Sequence, residues 1–185
     1  IVYVTPTGAG TQSGESWTNA ISSIKEAQVL ARTLNAVVWV AAGTYYGDTT
    51  ATAKNAFTMR EGVNVYGGFA GNEPSNYDLS QRNFVNNETV LDGDSSRRVL
   101  YQPNEFDTET MWDGFTIQNG QIAGSGGGSY FQDGGGAYLR NNSTIRSCVF
   151  RNNNAIGDGG GLYLKGSERY GYNRDYIRIE CCSII

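Results

Sequence analysis

Three aspartates stand where a short apolar run meets a turn: Asp92 and Asp94 in "LDGD", and Asp113 in "WDGF". Two carboxylates flanking a glycosidic bond can hydrolyse it, one giving a proton and the other taking one or attacking. Carboxylates can also hold Ca²⁺, a hard cation that takes several oxygen ligands. Arg97, Arg98 and Arg146 are the basic groups that could serve beside them. The plainer use of Asp before Gly is a turn, in which the carboxylate bonds the local backbone. The charged burst "DGDSSRR" (92–98) reads the same way, as a solvated loop. "GDGGG" (157–161) is one copy of a calcium-repeat-like string, without the nine-residue period that would give it weight. No cofactor is therefore expected, and Ca²⁺ is the one ion these residue types would suit.

The chain has no histidine, which removes Ser-His-Asp and Cys-His catalysis and most zinc sites. Its three cysteines, Cys148, Cys181 and Cys182, are an odd number, which argues against a disulfide framework. The adjacent pair could close a strained vicinal disulfide, but buried free thiols are the expectation. Twelve tyrosines offer another chemistry, since an exposed aromatic face can stack on a sugar ring. Tyr45, Tyr46, Tyr77, Tyr170 and Tyr172 fall in loops by sequence. The polar insert "KGSERYGYNR" (165–174) groups Arg169, Tyr170, Tyr172 and Arg174, and these four are the candidate binding residues.

Composition bounds the rest. Glycine is 25 of 185 residues without a Gly-X-Y period, so a collagen is excluded. The net charge is −4 with scattered Lys and Arg, so no nucleic-acid footprint is present. No apolar stretch approaches the ~20 residues of a membrane helix. The chain opens at Ile1 and closes inside a strand-like run, "IECCSII", and reads as an N-terminal fragment of a longer protein. The remainder of that polypeptide is its first expected partner.

The elements that would position these groups follow from periodicity. Residues 16–34 carry Trp17, Ala20, Ile21, Ile24, Ala27, Ala31 and Leu34 at three- and four-residue steps, an amphipathic helix with Ser16 as N-cap. From 36 to 185 the chain is short β-runs ending in Gly, Asn or Asp. Aligning "WDGFTIQN", "IRSCVFRN" and "IECCSII" stacks Trp112, Ile145 and Ile179. Phe115, Cys148 and Cys182 form the next column, then Ile117, Phe150 and Ile184, and Asn119 meets Asn152. The steps are 33 (145 − 112) and 34 (179 − 145), a near-constant period with like residues in each column. Gly114, Ser147 and Cys181 then mark a bend, and the two Asn sit at corners where stacked amides can form a ladder.

"GGGAYL" (134–139) and "GGGLYL" (159–164) repeat at 25 residues (159 − 134) and are followed by strand-like sequence, not by a helix. They read as tight corners rather than as a phosphate loop. A third copy, "GGGSYF" (126–131), is either a slipped duplicate or a loop. This pattern predicts a single all-β domain over 1–185: a parallel β-helix closed at one end by the 16–34 helix, which covers apolar side chains and strand edges.

The ordered segments "VVWVAAGTYY", "GVNVYGGFAGNE", "TVLDGD" and "WDGFTIQNG" resemble right-handed parallel β-helix proteins of the pectate-lyase-like superfamily, and Bacteroidetes-type surface proteins in particular. "CVFRNN" with "GGGLYL" is similar to the repeats of chlamydial polymorphic membrane proteins. The resemblance implies an extracellular or bacterial cell-surface location. It also implies a non-catalytic stalk or adhesin module that contacts a polysaccharide or host-surface ligand. The alternative it implies is the N-terminal part of a polysaccharide lyase or glycoside hydrolase, with Asp92, Asp94 and Asp113 as its acidic groups.

Overall fold

The structure is a computed structural model and describes residues 1–50, 53–122, 132–166 and 176–185. The insert carrying Arg169, Tyr170, Tyr172 and Arg174 lies outside the described residues, as does the glycine run at 126–128.

The protein is mostly β, with parallel sheets and one α-helix among the described residues. Strands β1 (Val2–Val4), β2 (Val38–Ala41), β5 (Val65–Phe69), β8 (Thr110–Asp113), β12 (Ser143–Arg146) and β16 (Ile177–Glu180) form a six-stranded sheet in that order. A five-stranded sheet holds β3 (Gly43–Tyr45), β6 (Thr89–Asp92), β9 (Thr116–Gln118), β13 (Val149–Arg151) and β17 (Ser183–Ile184). A four-stranded sheet holds β4 (Asn55–Thr58), β7 (Arg98–Tyr101), β11 (Ala137–Leu139) and β15 (Leu162–Leu164). β10 (Gln121–Ile122) pairs with β14 (Asn154–Ala155). From β2 on, the chain visits the six-, five- and four-stranded sheets in rotation, each time adding a strand beside its previous visit.

Register explains why these short runs are strands. In the first sheet Val2, Val38, Val65, Trp112, Ile145 and Ile179 are successive Cα partners. In the second, Tyr45, Leu91, Ile117, Phe150 and Ile184 are. In the third, Phe57, Leu100, Ala137 and Leu162 are. Up to Ile145, Phe150 and Ala137 these residues are buried and converge on one core. Each buried large side chain contributes roughly 1.5–3 kcal/mol relative to exposure, and alternate residues face away. The 33- and 34-residue columns read from sequence are thus spatial columns.

The bends also stand where the repeats place them. Gly114, Ser147 and Cys181 have φ of 84°, 51° and 52°, and Asn119 and Asn152 have φ of 55° and 54°. The expected Asn119–Asn152 ladder is replaced by other bonds. Asn119 Nδ2 donates to Asp92 Oδ2 (2.8 Å). The amide that joins the layers is Asn153: its Oδ1 accepts from Gly120 N (2.8 Å) and its Nδ2 donates to Ile117 O (2.8 Å). Asn152 holds the left-handed turn of its own layer, and Asn153 satisfies backbone groups at the Asn119 turn of the layer before.

The helix is shorter than its apolar spacing predicts. α1 spans Ile24–Leu34, with Ser23 as N-cap accepting from Glu26 N (3.2 Å) and Asn35 closing it at φ 50°. Trp17–Asn19 is a 3₁₀ turn, and Ser16 makes no side-chain cap there. Ile21 is taken by a parallel bridge to Val4, which breaks the helix before it starts. Trp17 and Ala20 pack with Tyr3, Trp39 and Phe69 in a separate outer cluster.

Ile24, Ala27 and Ala31 are buried in the main core, and Gln28, from the same buried stripe, is 3 % exposed. Gln28 Nε2 donates to Thr58 O (3.2 Å) and its Oε1 accepts from Arg60 N (3.0 Å). One carboxamide thus meets a donor and an acceptor at the outer edge of β4, where a neighbouring strand would otherwise be needed.

Candidate functional site

Asp113 lies at the end of β8 and is fully buried. Its Oδ2 accepts from Arg82 Nη2 (2.7 Å), Arg146 Nη2 (2.7 Å) and Arg146 Nε (3.0 Å). Arg146 is its register partner on β12, so the sheet itself aligns that pair. Arg82 arrives from the loop before β6, packed over the rings of Phe84, Tyr66 and Phe69 at 5.0, 5.5 and 5.7 Å. The Asp113 carboxylate raises the Arg146 pKa by hydrogen bonding. With one oxygen held by two guanidinium groups, Asp113 serves as the counter-ion that lets Arg82 be buried.

Asp92, on β6, is likewise committed. Its Oδ1 accepts from Asp94 N (2.8 Å), and its Oδ2 from Gln118 Nε2 (2.7 Å) and Asn119 Nδ2 (2.8 Å). Asp94 is exposed at φ 54°, in the turn that Asp92 closes. The three aspartates are therefore not one constellation: Asp92 and Asp94 share a turn, and Asp113 lies in another sheet with other partners. Arg98 is buried, its Nη2 donating to Asp133 O (2.6 Å), its Nε to Gly134 O (3.0 Å) and its Nη1 to Asn55 Oδ1 (2.7 Å). Arg97 Nη1 donates to Asp48 O and its Nε to Ser96 Oγ (3.0 Å). Among the described residues no group of three or more His, Cys, Asp or Glu is placed to hold a metal ion.

The concave site lies elsewhere, between α1 and the outer edge of β4. It is a cleft of about 960 Å³. Lys25, Gln28 and Arg32 line it from one face of α1; Phe57 and Thr58 from β4; and 103–106 from the loop after β7. Tyr45, Phe57, Met59 and Phe106, buried below, fix its walls. Tyr46, one of the tyrosines flagged by sequence, stands at the cleft 49 % exposed.

The charges along this cleft are unequally committed. Asp48 accepts from Thr50 N (3.0 Å) and lies 4.0 Å from Lys25 Nζ. The Thr50 N–H holds its carboxyl below the usual carboxylate range. Glu61 Oε1 accepts from Asp107 N (2.5 Å) and Thr108 N (2.9 Å), and Glu105 is also engaged. Among the described residues Arg32 and Arg60 form no ion pair, so the uncommitted charge facing the cleft is positive. Sequence reading singled out Tyr46 but missed Arg32, Arg60 and Gln28. Helix and edge strand meet here from positions 30 residues apart (58 − 28), and no local pattern announces that meeting.

No protein-family profile matches the chain, and neither a curated protein nor a solved structure matches it significantly.

Proposed function

We propose that this chain is a non-catalytic extracellular or cell-surface module: a right-handed parallel β-helix whose helix-covered end binds an acidic polysaccharide. The rotation of the chain through three parallel sheets supports the coil, and parallel crossovers are right-handed in about 98% of cases. The observation that carries the binding role is the cleft between α1 and β4, lined by a half-exposed Tyr46 and by Arg32 and Arg60, which form no ion pair among the described residues. A tyrosine face presents apolar area to the C–H face of a sugar ring, and Arg offers a planar fork matched to a uronate carboxylate. The aspartates that an enzyme would use are instead occupied by a buried ion pair and a turn.

The test is affinity measurement against a panel of acidic and neutral polysaccharides, with product analysis of the same mixtures. Acidic polymers bind the native chain, and raising the salt weakens them, as expected for charge at an exposed site. Tyr46→Ala and Arg60→Ala each lower affinity about tenfold or more, the scale of a hot-spot contact, while the melting temperature stays put. Equal binding of neutral and acidic polymers removes the charge reading. Release of reducing or unsaturated ends by the native chain establishes the lyase or hydrolase alternative in its place.

A further inference from the structure

We propose that Cys148 and Cys182 form a dithiol–disulfide site joining two successive layers of the core. The register places them. Arg146 pairs with Glu180 and Val149 with Ser183, both at an offset of 34 (180 − 146; 183 − 149). Cys148 and Cys182 share that offset and lie between those pairs (182 − 148 = 34). Parallel neighbours sit about 4.8 Å apart, inside the roughly 4.4–6.8 Å Cα range of disulfides. The Cys182 side chain reaches to the Cys148 layer, since its Sγ accepts from Cys148 N at 3.4 Å. Cys148 Sγ in turn accepts from Phe115 N at 3.4 Å, so the two sulfurs occupy equivalent places in consecutive bends. Cys181 occupies the left-handed position of its bend at φ 52° and is exposed, away from this column.

The two thiols are chemically unequal. Burial pushes the Cys148 thiol well up, and hydrogen bonding from Cys148 draws Cys182 down to about 7. Cys182, which is only half-buried while Cys148 is shut off from solvent, is the attacking sulfur. With a small-molecule disulfide RSSR as oxidant, the Cys182 thiolate attacks one sulfur, and RS⁻ leaves. The first RS⁻ takes the Cys148 proton as it departs, the Cys148 thiolate attacks the Cys182 sulfur of the mixed disulfide, and the second RS⁻ leaves. The protein loses two hydrogens, and RSSR becomes two RSH. This site does not depend on the polysaccharide reading; it uses only the core register.

Oxidised glutathione on the folded chain is the test, with denatured thiol counts and peptide mapping as readout. Cys148 and Cys182 appear in one linked peptide pair, exposed Cys181 stays outside it as a free thiol or a glutathione adduct, and the melting temperature rises until a reductant reverses it. Cys181→Ser keeps the link. Cys148→Ser stops at a glutathione adduct on Cys182. A Cys181–Cys182 link in the native chain, or a Cys148 thiol that stays free while Cys182 carries glutathione, overturns the proposal. Either result leaves the thiols as hydrogen-bond acceptors of the bends and nothing more.

Discussion

Replacing Asp113 by Ala lowers stability by about 3–5 kcal/mol, because it leaves a buried guanidinium without its counter-ion. The Arg82 side chain is 4 % exposed and that of Asp113 fully buried. Arg82 keeps bonds to Gly67 O (3.0 Å) and Leu79 O (2.9 Å) after the change, so its N–H groups retain acceptors while its charge does not. Arg146→Ala costs far less, about 1 kcal/mol, because that side chain is 37 % exposed and water compensates. In a chain of this length, the Asp113 loss corresponds to a fall in melting temperature of roughly 10 °C. Equal and small losses at both sites would mean that Asp113 is not the structural counter-ion described, and its chemistry would have to be reconsidered. Chemical denaturation of the two variants beside the native chain makes the comparison.

The second large effect is at the glycine corners. A Cβ at Gly135 runs into Asn154 O and comes to 2.7 Å from Gly160 O, and one at Gly136 meets Gly161 O and Asn153 Nδ2. These obstacles are mostly backbone of the adjoining layer, which cannot turn aside as a flexible side chain does. Gly134 and Gly159 add a positive φ of 66° each. Gly135→Ala is expected to cost about 3 kcal/mol, at the upper end of overpacking effects. Gly166→Ala is the matched control, since its Cβ meets nothing within 4 Å. Thermal melts of the two variants separate the outcomes, and an unchanged Gly135→Ala melt contradicts the close approach of layers. Each glycine run leads directly into a strand, β11 or β15, so neither opens the helix N-terminus of a phosphate loop.

What could be read from sequence, and what could not, divides along physical lines. The Trp112–Ile145–Ile179 and Ile117–Phe150–Ile184 columns were legible because each layer repeats the same inward alternation, and the left-handed corners demand Gly, Asn or small residues. The helix start was not. Trp17, Ala20 and Ile21 have helical spacing, yet Ile21 bridges to Val4 and Trp17 packs at 4.7 Å from the Tyr3 ring. Apolar periodicity cannot tell a helix face from residues drawn one by one to a strand. The aspartates were legible as turn formers at Asp92 and Asp94. Asp113 was not, because its partner Arg82 comes from a loop 31 residues earlier (113 − 82). The cleft escaped for a similar reason: α1 and β4 form it only once the chain has folded back on its first strands.

Ligand recognition is proposed to reside in the cleft between α1 and β4. Amide chemical-shift mapping during titration with an acidic oligosaccharide tests it most directly. Saturable shifts are expected at Tyr46, Asp48, Arg60 and Glu105 and along the Lys25–Arg32 face of α1. Shifts confined to the 165–174 insert, or absent at every acidic sugar tried, contradict it.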